Sequence, residues 1–142
     1  MSEIIAIAEA VVSELNEGEF SMEFTAERHY RPVFDLEDMK TLHVTVVPKG
    51  VEIRGASRGG LQYEYAIDVA VQKKLERGDA AEIDPLMTLV EELADYFRLR
   101  RLAALPAVAW VGTDNKPIYA QEHLEELQQF TSVLTFTFRT LR

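Results

Sequence analysis

The stretch LQYEYAIDVAVQKKL, residues 61–75, constrains this chain more than any other. Tyr63, Tyr65, Ile67, Val69 and Val71 fall on one parity, and Glu64, Ala66, Asp68, Ala70 and Gln72 on the other. A period of two over such a length predicts a strand with one dry face and one wetter face. At ~3.4 Å per residue its alternating part runs roughly 40 Å, about twice the usual strand. A strand that outruns its own core must find partners for its backbone donors and acceptors elsewhere.

Composition sets the frame. A chain of 142 residues fits one domain and buries roughly 68–70% of its unfolded surface. The formal charge of −9 makes it a poor general nucleic-acid binder, because phosphate neutralisation needs surplus Lys and Arg. The chain has no cysteine, so disulfides and thiolate metal sites are excluded, which fits the cytosol. No apolar run approaches the ~18 residues of a membrane span. The opening MSEIIAIAEAVVSELNEGEF is acidic and lacks the basic start of a signal peptide. These bounds point to a soluble, intracellular domain spanning 1–142.

Helical spacing of Ile4, Ala8, Val11 and Leu15, widened by Ile5 and Val12, predicts a first helix with Ser2 as N-cap and Gly18 as its C-terminal stop. FSMEFTAERHYRPVF, residues 20–34, has aromatic residues without a helical stripe and reads as an extended arm, partly paired as a strand. Asp35 to Met39 suggest one helical turn. Leu42, Val44 and Val46 alternate against His43, Thr45 and Val47, and Val51-Glu52-Ile53-Arg54 resumes the pattern after Pro48-Lys49-Gly50. Pro and Gly between two strand-like runs signal a hairpin turn. Ala56 to Gly60 form a second, flexible break, so three consecutive antiparallel strands are expected.

Asp84 and Pro85 are expected as N-cap and first residue of a second helix carrying Leu86, Val90, Leu93 and Phe97 on one stripe, after a linker from Asp79. Val108, Trp110 and Val111 suggest a short strand, with Trp110 in the core, and 112–117 a turn-rich loop. QEHLEEL reads as a helical turn. TSVLTFTFRTL, with Leu134, Phe136 and Phe138 against Thr135, Thr137 and Arg139, is a last strand. The class is α+β: a small, mostly antiparallel sheet with two main helices packed on one face, a long hairpin and an extended arm.

Chemistry is sparse in these residues. His29, His43 and His123 have no zinc-like spacing and read as surface or half-buried side chains. Asp35, Glu37 and Asp38 lack the spacing of a calcium loop. Ser57 in GASRGG has neither phosphate-loop spacing nor a following helix. Lys73-Lys74 and Arg98, Arg100 and Arg101 end predicted elements and read as solubilising termini. No catalytic triad, carboxylate pair or dinucleotide fingerprint is present in the sequence, so no enzyme activity, metal or cofactor is expected. Exposed strand edges are hazardous for a monomer, and a head-to-tail ring gives each edge a partner.

The order of elements, with RPVFDLEDMKTLHVTVVP, YEYAIDVAVQKKL, DPLMTLVEELADYF and FTSVLTFTFRTL, resembles the tail terminator (tail-completion, neck) proteins of long-tailed phages and prophages. The resemblance implies a structural virion protein without cofactor. It implies a hexameric ring that stops growth of the tail tube, joins it to the head-side connector, and lets DNA pass through its lumen without sequence-specific binding. It places the protein in the virion tail and neck, and in host cytoplasm during assembly. A head–tail adaptor or other neck protein, or a non-viral small-molecule-binding α+β domain, are the alternatives. Projecting loops at Pro48, Lys49 and Gly50, at Arg58, Gly59 and Gly60, and at Asp114, Asn115 and Lys116 are the expected contact residues.

Overall fold

The computed structural model describes residues 2–31, 40–56 and 59–141. Helix α1 (Glu3–Glu17) leads to β1 (Ala26–Arg28), β2 (His43–Gly55), β3 (Leu61–Lys74), α2 (Ala80–Phe97), β4 (Ala109–Asp114), α3 (Gln121–Leu127) and β5 (Gln129–Leu141). The strands form one sheet in the order β1-β2-β3-β5-β4, parallel between β1 and β2 and antiparallel elsewhere. The α+β class with a mostly antiparallel sheet is what the sequence predicts.

The period-two reading of 61–75 holds. Tyr65, Ile67, Val69 and Val71 are buried on one face of β3, joined by Val44 and Val46 of β2 and Leu134, Phe136 and Phe138 of β5. Ile7, Val11 and Leu15 of α1 and Leu86, Leu89, Leu93 and Phe97 of α2 close over that face. Phe97 meets Phe136 with ring centroids 4.8 Å apart. Both main helices therefore pack on one side, through largely aliphatic side chains with the Phe97–Phe136 pair among them.

Several local expectations are corrected. Pro48-Lys49-Gly50 is not a hairpin turn. Strand β2 runs straight through it, absorbing one residue in a bulge between Pro48 and Gly50. The expected three strands are thus a single long hairpin, β2 and β3, closed by Ala56 N donating to Gly60 O at 2.9 Å. Helix α2 starts before Asp84. Asp79 is the N-cap, its carboxylate accepting from Glu82 N at 3.1 Å, while Pro85 lies inside the helix. The Glu82 carboxylate in turn ties down the preceding loop, accepting from the backbone N–H groups of Glu76, Arg77 and Gly78 at 2.8–2.9 Å. The Asp79 cap and the loop that Glu82 holds outweigh the signal of Asp84-Pro85. The bond that Pro85 cannot donate leaves a carbonyl on exposed Ala81, within reach of water.

Helix α1 ends at Gly18 as expected, though not in a left-handed cap: its φ is −74°. Space selects the glycine, because a Cβ there would lie 2.7 Å from the Phe20 ring. Ser2 occupies the N-cap position in extended geometry without a side-chain capping bond. Among the described residues the aromatic arm pairs as a strand over 26–28. It is pinned by Asn16, whose amide donates to Ala26 O and accepts from Ala26 N at 3.1 and 2.7 Å. Strand β4 continues to Asp114, so 112–114 belong to the sheet rather than to a loop, with a bulge at Val111. The turn expected at Asp35 to Met39 lies outside the described residues, as does the end of the arm.

Candidate assembly surface

The two ends of the β2–β3 hairpin differ in cover. At the root, β2 is buried from Val44 to Val47; from Val51 to Gly55 every residue is exposed. On β3, burial begins only at Tyr65. Beyond that level Val51, Ile53, Leu61 and Tyr63 continue the apolar face that α1 and α2 cover at the root. Val51 is 50% and Ile53 54% exposed. Tyr63 stacks beside Tyr65 at 6.1 Å, which stiffens the start of this strip.

The outer edge of β2 is equally uneven. Strand β1 covers Val44 to Val46, and His29 N donates to Val46 O at 2.9 Å. Among the described residues no strand lies outside β2 above that point. The backbone groups of a strand point alternately to its two neighbours. Since Val46 points outward and the bulge adds one residue, the ladder with β3 turns Pro48, Val51, Ile53 and Gly55 outward. Pro48 therefore sits where a strand tolerates it, with no N–H to lose from the ladder. Among the described residues no strand pairs with the outward backbone groups of Val51 and Ile53.

The expected contact residues divide. Pro48, Lys49 and Gly50 lie within β2 rather than in a projecting loop; Lys49 is the bulged residue, its Nζ 3.8 Å from Asp68. Gly59 is in the hairpin turn with φ of +79°, a conformation that favours glycine, and Gly60 follows it. Arg58 is outside the described residues, as is Ser57. Asp114 ends β4 and is exposed. Asn115 does not project: its side-chain amide donates to Ser132 Oγ and Val133 O at 3.1 and 2.8 Å. Lys116 is exposed next to a cis peptide with Pro117. The hairpin thus gathers 48–50 and 59–60, while 114–116 lie across the sheet at the level of Asp68 and Val47.

The face opposite the helices is polar. Thr135 and Thr137, half-buried, share it with Glu64, Asp68 and Arg139, while Thr45 and Thr131 on the same parity are buried. Its charges are matched: Lys49 with Asp68, Arg139 with Glu64 at 3.6 Å, and Arg54 with Glu52. The Glu52 carboxylate, hydrogen-bonded to Arg54, raises the pKa of that guanidinium. Thr135 Oγ1 donates to Asp68 at 2.6 Å.

Elsewhere, reactive types are absorbed in structure. Among the described residues no group of three or more His, Asp or Glu could hold a metal. His123 Nδ1 lies 2.8 Å from Thr131 Oγ1, and His29 Nε2 3.1 Å from Glu27. Arg100 pairs with buried Glu14 at 3.0 Å and Arg101 donates to Pro106 O at 2.8 Å. Trp110 is half-buried against the core, its indole N–H donating to Thr113 Oγ1 at 2.9 Å. Sequence reasoning missed the bulge that carries β2 through Pro48-Lys49-Gly50. Its signal was a phase slip of one residue, since Val44 and Val46 are even and Val51 and Ile53 odd. One extra residue means a bulge, because a hairpin turn needs at least two residues. No protein-family model matches this chain, and no curated protein matches it.

Proposed function

We propose that this chain is a structural subunit that acts as a homo-oligomeric ring, terminating the tail tube of a long-tailed phage or prophage and joining it to the head-side connector. The observation that supports it best is the overhanging half of the β2–β3 hairpin, which shows solvent an apolar strip and, among the described residues, a strand edge that no other strand pairs. Neighbouring copies around an axis would cover both. The resemblance of element order to tail terminators supplies the specific setting. In that setting the charge-matched part of the sheet around Glu52, Arg54, Glu64, Asp68 and Arg139 suits a lumen along which DNA slides, because it offers no surplus of cations to grip phosphate.

Two measurements test this reading. Light scattering coupled to size exclusion should give an oligomer, either free or in the presence of tail tubes. A protein that stays monomeric and also ignores tubes overturns the proposal. Deleting the gene from its phage should give tails of abnormal length. Tails of normal length that fail to attach to heads would place the protein at the adaptor position instead.

A further inference from the structure

The two outermost long-sheet edges of this molecule complement each other. The four strands β2, β3, β5 and β4 are successively antiparallel, so they run up, down, up and down. An even number has a geometric consequence: a second copy rotated about an axis along the strands places its upward β2 beside the first copy's downward β4. The alternation then continues unbroken from copy to copy, whatever the copy number.

Both edges are available. On β2 the outward backbone groups of Val51, Ile53 and Gly55 have no strand partner among the described residues. On β4 the same alternation applies. Even-numbered residues of β5 face β3, so Thr135, Thr137 and Arg139 face β4, bonding the sides of Asp114, Gly112 and Ala109 and leaving Trp110 and Thr113 outward. No strand lies beyond β4 among the described residues. The two edges also overlap in height: Ala109 is level with Glu52, and Asp114 with Val47. Each carries exposed β-branched residues, Val51 and Ile53 on one and Val111, 36% exposed, on the other.

We infer that β2 of one copy, from Pro48 to Gly55, pairs antiparallel with the outer edge of β4, Ala109–Asp114, in the next, making one continuous sheet through the assembly. This rests on the assembly reading and specifies its contact. Main-chain bonds supply the affinity and the exposed valines and Ile53 the register, as in other strand additions.

The chain has no cysteine, so introduced thiols report cleanly. Ile53→Cys and Val111→Cys proteins are mixed and treated with a short bismaleimide, free and on tail tubes. Cross-linked dimers are expected from the mixture and little from either protein alone, and the double variant should give a ladder of higher species. Ile53→Pro and Thr113→Pro each remove one outward N–H while sparing the internal ladder. Each should lose the oligomer while keeping the circular dichroism of the fold; should either fail to fold, the cross-linking decides alone. Dimers from Ile53→Cys by itself would show a two-fold pairing of β2 edges and overturn the inference. An oligomer with no mixed cross-link, or one that survives both prolines in folded protein, also overturns it but leaves the ring reading standing. Absence of any oligomer, with or without tubes, removes both.

Discussion

Val46 and Ile53 share one strand and one face of the sheet, yet Val46 is fully buried and Ile53 is more than half exposed. Their chemistry hardly differs. What differs is the cover: α1 and α2 close over the root of the hairpin and leave its tip bare. Burying one such side chain contributes about 1.5–3 kcal/mol. The root therefore holds the monomer together, whereas the same apolar face at the tip adds stability only when another molecule covers it.

That contrast can be broken at either end. The largest effect is expected at the root, where Phe136→Ala removes a fully buried ring packed on Phe97. It should cost about 3–5 kcal/mol in chemical denaturation. A cost below about 1 kcal/mol would mean that this ring does not anchor the core.

A smaller loss follows from Glu14→Ala. Glu14 is 4% exposed and ties α1 to the segment after α2, accepting from Arg100 Nε at 3.0 Å and Ala103 N at 2.8 Å. Leaving the Ala103 donor unsatisfied should cost about 1–3 kcal/mol. An unchanged denaturation midpoint would show that the tie is dispensable.

Third, the turn from β3 into α2 should give the root a pH signature. Three backbone N–H groups, aided by Lys73, hold the Glu82 carboxyl down to about 2 from an ordinary 4.5. A depressed folded pKa stabilises above the unfolded value, and the contribution is lost as pH falls from 4.5 towards 2. Glu82→Gln should therefore narrow its stability gap to the parent protein across that window. A constant gap would refute that hold on the loop.

The smallest effect belongs to the tip. Ile53→Ser should change monomer stability by no more than about 0.5 kcal/mol, since the side chain already meets water. Measured in dilute protein, a loss like that of Phe136→Ala would erase the difference between root and tip. A loss seen only at concentrations where copies associate would sharpen it, because association adds to apparent stability by mass action.

Much of the root is legible in the sequence. The parity of Tyr65 to Val71, the alternation of Leu134, Phe136 and Phe138, and the stripe of Leu86, Val90, Leu93 and Phe97 all map onto buried faces. Misreadings gather where local signals compete. Pro48 and Gly50 carry turn chemistry, yet at an open edge Pro48 costs the ladder nothing and the bulge takes up Lys49. Asp84-Pro85 imitates a helix start, but Asp79 caps the helix one turn earlier and Glu82 fixes the loop before it with three bonds from backbone N–H groups. Asn115 reads as a turn residue and instead fastens its loop to β5.

The sequence by itself determined the periods, the amphipathic helices, the acidic balance and the unusual length of β3, because each is a property of neighbouring residues. Tertiary structure alone decided how far the helices reach along the sheet, which strand became its edge, and which backbone groups point outward. Those depend on residues far apart in the chain, and the same valine or isoleucine is core or contact according to what lies above it.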